Sequence, residues 1–224
     1  MPEPKSVTIA VNDDTRVSGL LQAPASARAC YVLAHGAGAG MNHAFMAAVA
    51  AELAERGIAT LRYQFPYMEK GSRRPDSPKV AHATVRAAVA EAARLLPKRP
   101  LFAGGKSFGG RMTSQAQAIA PLPGVRGLAF LGFPLHPAGK PSTSRATHLS
   151  ELKIPMLFLQ GTRDEFAQLS LLEVLVKRLK PHATLHLFPD ADHSFHVPKS
   201  SGRTDGEVMT ELLDTLTQWI ERHA

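Results

Sequence analysis

The sequence predicts an α/β protein with a mostly parallel, doubly wound sheet and an antiparallel N-terminal edge. Short apolar runs alternate with stretches of helical period along most of the chain, the pattern of strands joined by crossover helices. Several of those runs, such as Cys30-Tyr31-Val32-Leu33-Ala34, are apolar without interruption, as strands buried on both faces require. The first two runs instead face each other across Asn12-Asp13-Asp14, whose short polar side chains favour a tight turn. At 224 residues the chain is sized for one domain, 1–224, with a substantial core.

The elements follow in order. Val7–Val11 and Val17–Leu21 form the N-terminal hairpin, and Cys30–Ala34 is the first buried strand. It empties into His35-Gly36-Ala37-Gly38-Ala39-Gly40, after which Phe45, Val49 and Leu53 mark one face of a helix from about Ala44 to Arg56. Ile58–Tyr63 is a strand, followed by Gln64-Phe65-Pro66-Tyr67-Met68 and a polar loop from Glu69 to Pro78. A helix from about Lys79 to Leu96 ends at Pro97 and Pro100. Leu101–Ala103 is a strand, and Met112, Ala116 and Ile119 recur at helical spacing beyond it. Val125–Leu131 is a strand and Gly132–Thr147 a loop rich in Pro, Ser and Gly. Ile154–Gln160 is the next strand, Leu169–Leu179 a helix, and Thr184–Phe188 the last strand. Val208, Leu212, Leu216 and Ile220 stripe a final helix from about Asp205 to Arg222.

Composition narrows the function classes. Twenty-six Lys and Arg against 19 Asp and Glu leave +7, which favours an anionic small molecule or an acidic partner. Nucleic acid is not expected as a partner, because no basic run exceeds a pair such as Arg73-Arg74 and aromatic residues are only 6%. The single cysteine, Cys30, excludes an intrachain disulfide and reads as a packed small hydrophobe. The opening Met-Pro-Glu-Pro-Lys lacks the apolar core of a leader, and no window approaches about 18 apolar residues. A soluble, cytoplasmic protein with no membrane partner is the expectation.

The chemistry concentrates at Gly105-Lys106-Ser107-Phe108-Gly109. This fits G-x-S-x-G, the nucleophile elbow in which a serine sits on a strained turn between strand and helix. Its neighbours must be small, and the helix that opens at Phe108 offers a backbone N–H to a developing oxyanion. The glycine-rich loop supplies the second such donor at Ala37. Gly-Lys-Ser before a helix is also how a phosphate-binding P-loop ends, but the glycine required five residues before Gly105 is Pro100. Asp164 and His193 each follow a separate strand, in the order Ser, Asp, His. A base at His193 would take the serine proton, and a carboxylate at Asp164 would hold its tautomer. Asp190 or Asp192 could instead be the acid, His196 the base, and His35 a cap on the glycine loop.

Gly-Gly-Lys-Ser-Phe-Gly-Gly-Arg-Met, His-Gly-Ala-Gly and Phe65-Pro66-Tyr67-Met68-Glu69-Lys70-Gly71 resemble the α/β-hydrolases across nearly the whole chain. Within them they resemble a small group that includes a testis-expressed protein, a histone-acetyltransferase-complex subunit and bacterial dienelactone-hydrolase-like proteins. The resemblance implies a small hydrolase domain with little or no cap, and Ser107, Asp164 and His193 as the matched triad; the elbow and that triad together are read as a cofactor-free, metal-free serine hydrolase acting on a carboxylic ester or related acyl bond. Because members of that group serve partly as interaction proteins, a non-catalytic module using its basic surface is the alternative. For substrate binding the sequence offers His35, Lys70, Arg73, Arg74, Lys106 and Arg111, basic side chains near the carboxyl edge of the sheet that would favour an anionic acyl substrate.

Overall fold

The computed structural model describes residues 2–224. Strands β1 (Lys5–Ala10) and β2 (Arg16–Gln22) form the expected hairpin, with Val7 opposite Gly19 and Ile9 opposite Val17. The turn between them is held by Asn12, whose side-chain oxygen accepts from the amides of Asp14 and Thr15. β2 pairs antiparallel with β4 (Ile58–Tyr63), and every pairing beyond is parallel. With β3 (Ala29–Ala34), β5 (Leu101–Lys106), β6 (Val125–Leu131), β7 (Met156–Gly161) and β8 (Ala183–Phe188), the eight strands run in the order β1-β2-β4-β3-β5-β6-β7-β8.

The period of two along each central strand divides the core between the two faces. Tyr31, Leu33, Phe102, Ala129, Leu157 and Leu159 meet helices α1 (Ala44–Glu55) and α6 (Asp205–His223), including Val49, Leu53, Leu212 and Leu216. Cys30, Val32, Ala103, Phe130 and Phe158 meet the opposite layer: α3 (Pro78–Leu95), α4 (Phe108–Ile119) and α5 (Leu169–Arg178). Full burial of each large apolar side chain contributes roughly 1.5–3 kcal/mol, so both layers are anchored by hydrophobic contact. Cys30 packs within the second layer, and burial pushes its thiol up to about 12.

Four expectations shift. Ile119 is 68% exposed, because α4 ends there and its packed face is Met112, Thr113 and Ala116. Phe45 is only half-buried, α1 instead turning Met46 into the core beside Val49 and Leu53. The stretch after β4 contains a short helix, α2 (Pro66–Glu69), and the loop after β6 ends in a 3-10 segment, Ser144–Glu151, that packs on α4. Among the described residues no helix is long and apolar enough to cross a membrane.

Candidate active site

The carboxyl ends of the parallel strands share one edge, and β5 delivers Ser107 to it. Ser107 has φ 49° and ψ −115°, a conformation costly for a residue with a Cβ and maintained here by its surroundings. Its amide donates to Leu131 O at 3.2 Å, and α4 begins at the next residue. The elbow closes because its glycines lie against backbone. A Cβ on Gly105 would fall 2.1 Å from Ala34 O, and one on Gly109 would fall 2.6 Å from both Ala34 O and His35 O.

His193, on the turn after β8, places Nε2 2.9 Å from Ser107 Oγ and Nδ1 2.6 Å from Asp164 Oδ2. Asp164, just past β7, has no exposed side-chain surface. Its Oδ2 also accepts from Gln160 Nε2 at 2.5 Å, and its Oδ1 accepts from the Phe166 amide at 2.8 Å. Gln160 is itself locked, its Oε1 accepting from the Phe133 amide at 2.9 Å. The Phe166 ring lies 4.6 Å from the imidazole, centroid to centroid. With Nδ1 donating to the carboxylate, Nε2 is left as the acceptor for the serine proton.

The competing acids and base occupy other roles. Asp192 Oδ1 accepts from the amides of Ser194 and His196 at 2.7 and 3.0 Å, shaping the turn that carries His193. Asp190 lies at φ 58° in the preceding turn, its amide donating to Thr162 Oγ1. His196 pairs with Asp205 at 2.8 Å on the surface.

Ala37 and Phe108 both line the cleft above Ser107, which also counts Gly36 in its wall and has a volume of about 650 Å³. Neither amide meets an acceptor among the described residues. The glycine loop is braced by Tyr67, whose hydroxyl accepts from the Gly38 amide at 2.9 Å.

The basic residues separate into two sets. His35 is fully buried, its Nδ1 donating to Gly36 O at 2.7 Å and its Nε2 accepting from the Phe65 amide at 3.2 Å. Both nitrogens serve the loop, and burial lowers its pKa to about 4, so it offers no charge to a ligand. Lys70, Arg73 and Arg74 project from an exposed loop and stay outside the cleft, whose wall takes Pro75, Asp76 and Pro78 from that segment. Lys106 also lines the cleft, but its ammonium donates to His193 O, and burial draws its pKa down to about 8. Arg111 does line the cleft, as does Arg145, which sequence reasoning missed because its loop has no periodicity. Gln160 and Phe166 were missed as well, and a polar residue ending the apolar β7 strand was the available signal for Gln160. Among the described residues no group of three or more His, Cys, Asp or Glu side chains is arranged to hold a metal ion.

Comparison with known proteins agrees with this architecture. A dienelactone hydrolase from Anabaena variabilis superposes with a TM-score of 0.78 at 19% identity, covering 99% of this chain and 98% of its own. An α/β serine hydrolase without lid from Xanthomonas campestris gives 0.75 at 20% identity, covering 97% and 95%. The esterase domain of a Rhodothermus marinus protein gives 0.74 at 17%, covering 99% of each chain. The sequence pattern that defines the alpha/beta hydrolase domain matches residues 27–221. The chain is therefore a member of the alpha/beta hydrolase family, with a lid-free fold.

Proposed function

We propose that this hydrolase cleaves a carboxylic ester or related acyl bond through an acyl-enzyme on Ser107. The observation that carries the reading is the hydrogen-bonded run from Ser107 Oγ through His193 to buried Asp164, opening on a cleft beside two uncommitted amides. Ser107 Oγ attacks the acyl carbon as His193 Nε2 takes its proton, and the carbonyl oxygen becomes an oxyanion facing the Ala37 and Phe108 N–H groups. Collapse of that intermediate expels the alcohol, which leaves with the proton from His193. Water then repeats the sequence on the acyl-enzyme and frees the acid. Asp164 stays ionised throughout, holding the tautomer and stabilising the imidazolium. The esterase and dienelactone hydrolase among the structural neighbours suit this reading.

The test is labelling with a fluorophosphonate followed by mass mapping. Ser107 is expected to be the one modified serine, and a Ser107→Ala variant to be silent. Equal labelling of that variant would remove the nucleophile and leave a non-catalytic interaction protein as the better reading.

A further inference from the structure

We propose that Arg111 and Arg145 form an anion subsite, so that the hydrolase acts on esters carrying a carboxylate or phosphate group at the far end of the acyl or leaving portion. The inference rests on the reading of Ser107 as nucleophile and adds the substrate class. Arg111 lies on the first turn of α4, its amide donating to Ser107 O at 3.1 Å, so the elbow fixes where its side chain begins. The guanidinium sits 5.9 Å from the centroid of the Phe108 ring, and its Nε is buried without a hydrogen-bond partner. Arg145 reaches the same cleft from the Ser144–Glu151 segment, which is pinned to the body by buried Ala146 and Leu149.

Neither guanidinium forms an ion pair or a side-chain hydrogen bond among the described residues, whereas Arg28, Arg56, Arg94 and Arg203 all pair with carboxylates. Burial and the charge of Arg145 together lower the pKa of Arg111, so the two cations act on each other with no anion between them. Placing two half-buried guanidiniums on one cleft is costly unless something negative enters, and a planar oxyanion matches their donor geometry. Among the described residues, only one side chain lining the cleft carries a charge of that sign. His148, beside them, bonds Ser114 Oγ at 2.8 Å and is held neutral, its pKa lowered to about 4 by burial and by Arg111. The one carboxylate in the cleft wall, Asp76, accepts from the Tyr67 amide at 3.0 Å. Phe45, Met112, Pro134 and Phe166 complete the wall, an apolar lining suited to a hydrocarbon stem that carries the ester toward Ser107.

The experiment compares kcat/KM for mono-p-nitrophenyl adipate, its ω-phosphonate analogue and the neutral methyl p-nitrophenyl adipate, with calorimetric binding of adipate and phenylphosphonate as a readout independent of turnover. At least one anionic ester is expected to exceed the neutral one. The ratio should fall roughly 10- to 100-fold in Arg145→Ala and Arg111→Gln, the range for losing a charge-assisted hydrogen bond, and be partly restored in Arg145→Lys. Whichever of the two anionic esters is preferred identifies the oxyanion. An unchanged ratio, with Ser107 still labelled by fluorophosphonate, overturns the subsite and leaves the hydrolase reading intact. If no ester is turned over, adipate or phenylphosphonate binding that Arg145→Ala weakens supports the subsite alone, and no binding overturns it.

Discussion

At the residue scale, much depends on Asp164, a carboxylate with no solvent contact whose two oxygens accept from His193, Gln160 and the Phe166 amide. An asparagine there keeps the volume but removes the charge and brings an NH2 that competes with the imidazole as a donor. Asp164→Asn is expected to lower esterase kcat by about 10⁴-fold with little change in melting temperature. Asp192 provides the contrast, since its single accepting oxygen is retained by asparagine. Asp192→Asn should therefore be mild, and a damaging Asp192→Asn beside a mild Asp164→Asn would reassign the acid.

At the scale of elements, the β5–α4 turn depends on two helical residues approaching neighbouring backbone more closely than any Cβ permits. Gly109 faces the carbonyls of Ala34 and His35 at the end of β3, while a Cβ on Gly110 would fall 2.8 Å from Gly105 O. Backbone cannot swing aside as a side chain can, so Gly109→Ala must push α4 away from β3 and carry Ser107 with it. A loss of about 3 kcal/mol or more is expected in denaturant unfolding, together with loss of fluorophosphonate labelling. Gly206 in the first turn of α6 is the control. Its added Cβ meets nothing nearer than 3.9 Å, so Gly206→Ala should be neutral or stabilising by up to about 1 kcal/mol.

At the scale of the whole molecule, His35 links the fold to pH. It is buried neutral with a pKa near 4 against 6.5 when unfolded, so below pH 6.5 the unfolded chain binds a proton that the folded one refuses. The contribution of His35 is then constant above pH 6.5 and declines as pH falls toward 4, by about 3 kcal/mol for a shift of this size. His148, shifted in the same direction, adds to the decline. Chemical unfolding at pH 7, 5.5 and 4.5 measures the slope, which should flatten in His35→Gln. An equal slope in that variant would place the acid sensitivity elsewhere.

The sequence by itself determined the order and type of the strands and of the long helices, though not α2 or the Ser144–Glu151 segment, because strand and helix periods and turn residues are local properties. It also placed Ser107, Asp164 and His193 after separate strands, since a parallel sheet gathers the carboxyl ends of its strands on one edge whatever the side chains do. Which cations face the cleft was decided only in three dimensions. Lys70, Arg73 and Arg74 were the conspicuous cluster, yet their loop carries them into solvent, while His35 and Lys106, beside the elbow in space, turn their polar atoms to backbone groups. Arg145, in a loop with no periodic signal, is brought beside Arg111 by the packing of its 3-10 segment on α4. The physical reason is that a side chain's direction and neighbours depend on contacts between residues distant in the chain, which spacing along the sequence does not encode.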